Sequence, residues 1–404
     1  MKKLLIASTA LVGVAFMATS AHAALKMDLG GYFDGYGVYA NNHDTATSLN
    51  KNDAKYALVR DSQVHVNGQT TLDNGLTIGA HYQMYVAGQS AAAAVATNVA
   101  GRLTASSSQF PNNSQNGTVV DEAYLYGQGG WGRVNFGEED GAAYLLQVAA
   151  PSADSNVDGM RVYVQSLDTQ NWNANLQGVI LDYQQADFRH TDRITYLTPK
   201  FNGFQAGLSW APYPNNTFVG SSVAQPSQID QVKLFKSPWE LAARWDGQFQ
   251  GVAVSVGAGY SDAARQNSTT TAGQPGSTDL RTYNFGANVA MQGFSLGGAY
   301  KHSNNGMSSV ADGNNNTTIY DFGAGYDNGP YHAGISYFHE KFGAGIINTG
   351  VGQDATVHRY ALGGGYTFGP GMTFRGAIDW GSYNPTAAAH TKFEQVTLGT
   401  DIQF

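Results

Sequence analysis

The sequence predicts an all-β protein: a 16-stranded antiparallel transmembrane β-barrel with short turns at one end and long loops at the other. Three observations carry this expectation. Stretches of period-2 alternation recur along the chain, each with one apolar face that ends in aromatics and one small or polar face. Short Gly, Asn, Asp or Pro turns alternate with long polar connections. The composition suits a surface that is only partly wet. Of 404 residues, 50 are glycine and 12% are aromatic, while 13% are charged against about 25% in a typical soluble domain.

The first element is an export signal. Lys2 and Lys3 precede an apolar stretch from Leu4 to Ala18, and Ala21-His22-Ala23 is an A-x-A cleavage site. Residues 1–23 therefore read as a cleaved signal peptide and 24–404 as one barrel, the alternative being an uncleaved N-terminal anchor. Without Lys2 and Lys3 there are 20 basic residues against 30 acidic ones, a net charge of −10, which argues against nucleic acid as a partner. The absence of cysteine excludes disulfides, Cys-ligated metals and thiol catalysis. Beyond residue 23 no stretch approaches the roughly 18 apolar residues of a spanning helix. An exported chain with a half-apolar surface is then left with a closed barrel as its way of crossing a membrane.

The strands follow from their punctuation. Short turns fall near 72–75, 127–132, 198–203, 246–251, 291–293, 327–330 and 368–371, and long connections near 40–55, 88–116, 138–189, 212–238, 261–281, 302–316, 340–355 and 382–393. Seven short turns pair strands 2–3 through 14–15 and leave one strand at each end, which makes 16. Between them, Phe204, Ala206, Leu208 and Trp210 share a face, as do Val252, Val254, Val256, Ala258 and Tyr260. Tyr283, Phe285 and Val289 form another; so do Tyr360, Leu362, Tyr366 and Phe368. The last two strands set Met372, Phe374, Ile378 and Trp380, then Val396, Leu398, Ile402 and Phe404, against polar partners. A soluble propeller of four-stranded blades also has 16 strands, but it needs neither an export signal nor an apolar outer face. A 16-stranded barrel is too wide for side chains to fill and encloses water.

Short motifs in this order and spacing resemble one family. They are Leu29-Gly30-Gly31-Tyr32-Phe33, Leu72-Asp73-Asn74-Gly75-Leu76, Asp121-Glu122-Ala123-Tyr124, the run from Trp131 to Glu138, and the run from Tyr196 to Phe204. The chain resembles the trimeric general porins of Gram-negative outer membranes. The resemblance implies a homotrimer in outer-membrane lipid and lipopolysaccharide, with passive diffusion of ions and small hydrophilic solutes. It also implies an inward third loop and a terminal aromatic, Phe404, that signals to the outer-membrane assembly machinery. The third loop, at 138–189, is longer than that of a general porin.

If that loop lines a constriction, its acids Glu138, Glu139, Asp140, Asp154, Asp158 and Asp168 matter most. Alternation points the bases Arg133, Arg193, Arg244, Lys301, Arg359 and Arg375 inward from the wall. Loop acids facing wall bases would set a transverse field that orders polar solutes; each residue also has a plain reading as a lumen or rim side chain. The acidic balance leans toward cations. Asp154, Asn156 and Asp158 match half of a calcium loop, but Gln165 stands where a bidentate Glu belongs, and an Asx-turn explains the segment as well. His65 and His81 face inward on strands 2 and 3, as a metal or proton pair or as ordinary lumen residues. No cofactor and no enzymatic activity are expected. The readings from other classes are an adhesin or surface receptor, suited to long loops, and a barrel hydrolase, for which His43-Asp44 and His339-Glu340 are isolated candidates.

Overall fold

In the computed structural model the described residues are 25–43, 55–86, 119–154, 183, 185, 187–188, 191–213, 235–265, 278–306, 316–342, 354–385 and 390–404. Sixteen strands form: β1 Lys26–His43, β2 Tyr56–Thr71, β3 Thr77–Tyr85, β4 Val119–Gly129, β5 Gly132–Glu139, β6 Thr191–Leu197, β7 Phe204–Trp210 and β8 Phe235–Phe249. They continue as β9 Val252–Arg265, β10 Leu280–Met291, β11 Phe294–Ser303, β12 Thr317–Asn328, β13 Tyr331–Phe342, β14 Ala355–Gly369, β15 Met372–Pro385 and β16 Thr391–Gln403. Each pairs antiparallel with its neighbours in sequence, and β1 pairs with β16 to close the barrel. A single helical turn, α1 Ala142–Leu145, follows β5.

All seven short turns fall where turn chemistry places them, while strands run into most of the expected long connections: β1 reaches His43, β9 Arg265, β13 Phe342 and β15 Pro385. Glu138 and Glu139 end β5, so the third loop starts at Asp140. β8 begins at Phe235, inside the expected 212–238 connection, although Pro238 cannot donate to a ladder. A bulge between Lys236 and Trp239 absorbs it, with Ser237 at φ +50°. The Ala211 N–H donates to the Pro238 carbonyl at 3.0 Å and the Ser237 N–H to the Pro212 carbonyl at 2.7 Å.

Alternation sorts the side chains as expected. Leu208, Phe285, Leu362, Ile378 and Leu398 are exposed on the outer face, while Ser209, Asn284, Ala361, Asp379 and Thr397 are buried on the inner one. In water such an outer band would cost free energy; in lipid it is the solvated state. Aromatics crowd one end of that band, with Tyr283–Tyr300, Tyr300–Tyr320 and Tyr360–Trp380 ring centroids 5.9, 5.2 and 5.8 Å apart. Leu398→Arg would put a charge in this band, and about 2–4 kcal/mol of destabilisation is expected near the bilayer midplane. Urea unfolding in lipid vesicles reads this directly, and an unchanged midpoint would place Leu398 away from lipid.

Closure depends on the last residue. The Gly31 N–H donates to the Phe404 carbonyl at 2.9 Å and the Phe404 N–H to the Gly31 carbonyl at 3.0 Å. The Phe404 ring lies over Gly31, where a Cβ would meet it at 3.0 Å.

Candidate channel constriction

After β5 the chain leaves the wall and turns into the lumen. The Ala142 N–H donates to Ser209 Oγ at 2.8 Å and the Ala143 N–H to Glu240 Oε2 at 3.0 Å, which anchors α1 to β7 and β8. Ala142 and Ala143 are fully buried against that wall, and Leu146 packs with Ala142 and Ala242. Residues 146–154 then run across β9 to β14. Wall side chains satisfy the loop's carbonyls: Arg244 Nη1 donates to Gln147 O at 3.3 Å, Asn284 Nδ2 to Ala143 O at 3.2 Å and Asn288 Nδ2 to Ala149 O at 2.7 Å.

Small inward positions make this close approach possible. A Cβ on Gly286 would overlap the Val148 carbonyl, and one on Gly323 the Pro151 carbonyl. Gly257 and Gly334 stand similarly close to Leu146 and Ser152. The rows of glycine that thin out the inner face in sequence are thus a groove in which the loop backbone lies. The returning stretch uses the same wall. Gln185 accepts from Asn284 Nδ2 at 2.5 Å and donates to Ser261 Oγ at 3.0 Å, and Phe188 packs with Phe235, Ala263 and Leu280. Burial pushes the Tyr183 phenol upward, so it remains neutral.

Several of the inward bases have acids of the wall itself as partners. Arg193 Nη1 meets Glu240 Oε1 at 2.8 Å, Arg244 meets Asp246 at 3.0 Å, Arg359 meets Asp379 at 3.2 Å, and Arg375 meets Asp401 at 3.0 Å and Asp34 at 3.5 Å. All these acids belong to wall strands. Alternation sets acid and base on the same inner face within reach of each other, and burial makes a near partner far more favourable than a distant one. Arg133 donates to Asn135 Oδ1 at 2.7 Å and lies 4.0 Å from the centre of the Tyr126 ring; Lys301 is half-buried on β11. Among the acids, Glu139 and Asp140 are buried, and Glu139 accepts from Asn135 Nδ2 at 2.8 Å. Glu138 is half-buried at the end of β5, and Asp154 reaches β14 beside Gly363. Asn156, Asp158 and Asp168 lie outside the described residues, and with them the calcium reading. Among the described residues no group of three or more His, Asp or Glu is placed to hold a metal ion. His339 faces outward and Glu340 inward, so they share no site.

The described stretches of the loop contact inner positions from β6 to β14, while β2 to β4 turn Gln63, His65, His81, Glu122, Tyr124 and Tyr126 to the inner face, where Gln63 and Tyr126 are buried. His81 and Tyr124 lie about as far from the turns at 72–76 and 130–131 as Gly257 and Gly286 lie from the turns at 250–251 and 292–293. The described loop stretches and these side chains therefore lie at a similar depth in the barrel. Sequence reasoning marked His65 and His81 but missed Tyr124 and Tyr126. Alternation assigns them inward, yet nothing within a strand says which inner side chains will meet across neighbouring strands.

A closed 16-stranded barrel with an apolar exterior and a loop folded along its interior wall defines an outer-membrane channel protein. A family model described as Gram-negative porin matches residues 7–386, and the chain belongs to that family, in the Gram-negative outer membrane. Among solved structures, the anion-selective porin from Comamonas acidovorans is 15% identical with a TM-score of 0.54, over 94% of this chain and 100% of that one. The outer-membrane channel DcaP of Acinetobacter baumannii is 11% identical with a TM-score of 0.58, over 97% and 100%. Salmonella typhi OmpF, solved in complex with daunomycin, is 15% identical with a TM-score of 0.55, over 94% and 98%. At these identities the likeness is one of fold. No curated protein matches the chain.

Proposed function

We propose that this porin is an open, water-filled channel for passive diffusion of ions and small hydrophilic solutes, weakly selective for cations. The observation that carries the reading is the seat of the third loop: its described stretches lie along the wall, in a barrel too wide for side chains to fill. The acidic balance of the chain supports the lean to cations. In the same reading the chain is exported on residues 1–23, assembles as a homotrimer among outer-membrane lipid and lipopolysaccharide, and presents Phe404 to the assembly machinery. It has no enzymatic activity.

The test is single-channel recording of the purified, unheated protein in a planar bilayer under a salt gradient. Stepwise openings in threes with a reversal potential on the cation side are expected, and Arg133→Ala moves that potential further toward cations. Inserted protein that passes no current would overturn the reading.

A further inference from the structure

We propose that His339 and His358, with Tyr337 beside them, form a zinc site on the outer face of the barrel. The site lies outside the lumen and is independent of the channel reading. Register creates it. His339 pairs directly with His358 across β13 and β14, two residues beyond the Tyr337–Tyr360 pair, toward the ends where these strands lead into their long connection. Their sequence neighbours Phe338, Val357 and Arg359 are buried on the inner face. Both imidazoles are therefore turned outward, where they are half-buried. Their ring centroids are 4.5 Å apart and their Nδ1 atoms 3.3 Å apart. Tyr337 Oη lies 2.9 Å from the same His358 Nδ1.

Protons alone serve this trio poorly. An imidazole nitrogen carries either one proton or one lone pair. His358 Nδ1 can thus serve His339 or Tyr337 well, but not both at once. A cation set between the two nitrogens uses both lone pairs. Zinc binds imidazole nitrogen at about 2.0–2.1 Å in tetrahedral geometry, which holds two such ligands about 3.3–3.4 Å apart. The observed 3.3 Å is that separation; a right-angled pair in a square-planar copper site would stand about 2.9 Å apart. The Tyr337 hydroxyl is placed to orient a water in a remaining coordination position. The rings are held in place by their neighbours. Tyr320 stacks on His339 with centroids 5.9 Å apart and planes at 29°, and Tyr337 on His358 at 6.2 Å and 28°. Ligands fixed in advance by a sheet lose little freedom when the ion arrives. Lys341 shares the outer face and would repel a cation, but its ammonium is 3.2 Å from the Asp354 carboxylate, which offsets that charge.

Two measurements on the folded, chelator-treated protein in detergent test this. Calorimetric titration with zinc chloride should show saturable binding of about one ion per chain that magnesium does not compete for, because magnesium prefers oxygen ligands. His339→Ala and His358→Ala should each weaken it at least about tenfold, since even the partners behind a metal ligand are worth that much. His302→Ala removes another outward histidine, on β11, and should leave it unchanged. X-ray absorption of the zinc-loaded parent should show two imidazole nitrogens at about 2.0–2.1 Å, a readout that needs no variant to fold. No saturable zinc binding by the folded parent would overturn the site. So would binding that survives both alanine substitutions, or a zinc shell without the imidazole pair.

Discussion

Valine at Gly286 or Gly323 is expected to dislodge the third loop while leaving the barrel intact. In each case the added side chain would occupy the space of a loop carbonyl, that of Val148 or Pro151. Neither can shift alone, because Asn288 holds the adjacent Ala149 carbonyl and His332 Nε2 lies 3.3 Å from the Ser152 carbonyl. Overpacking of this kind costs about 1–3 kcal/mol per site, comparable to the two or three hydrogen bonds, each worth about 0.5–1.5 kcal/mol, that hold the stretch down. The seated loop then competes with displaced ones that intrude on the lumen. Single-channel recordings should change from one steady open level to discrete lower levels, with the double variant affected most. Heat-dependent gel migration and far-UV circular dichroism should stay those of a folded barrel. A single level equal to that of the parent in both variants would show that the loop does not rest on this wall.

Arg193→Met is expected to have the largest effect on stability. Arg193 is buried on β6 and Glu240 on β8, and their ion pair of 2.8 Å spans β7. Arg193 also donates to the Thr191 and Phe188 carbonyls, and Glu240 accepts from the Ala143 N–H. One pair therefore ties the departing and returning arms of the loop to the wall. Removing the arginine leaves a carboxylate buried without its counter-ion, which costs about 3–5 kcal/mol. Replacing both partners by methionine removes the stranded charge and should recover most of that loss. Urea unfolding in vesicles across the four-member cycle gives the coupling. If the double variant is as unstable as the sum of the single ones, the pair is not the tie that the geometry indicates.

The barrel was almost wholly legible before any coordinates. Inward and outward faces of β14, β15 and β16 follow from alternation alone, because successive residues of a strand point to opposite sides whatever lies around them. The strand count followed from turn chemistry, which is equally local. The expected 212–238 connection shows where local rules stop: Pro238 cannot donate to a ladder, yet a bulge admits it to β8. The charge pattern shows the same limit. Alternation correctly sent Arg193, Arg359 and Arg375 to the inner face, but their partners Glu240, Asp379, Asp34 and Asp401 depend on which strands meet and in what register.

The sequence by itself determined a membrane barrel of 16 strands, since periodicity, turns and an apolar outer face are properties of short stretches of chain, and resemblance to a family added the inward third loop. Only the tertiary structure decided where the described part of that loop rests, and which charges and rings meet across the strands. Those are contacts between residues far apart in the chain, such as Ser152 and His332, which are 180 positions apart. They exist because closing the barrel brings glycines from separate strands into one groove, and rings from four others into one row.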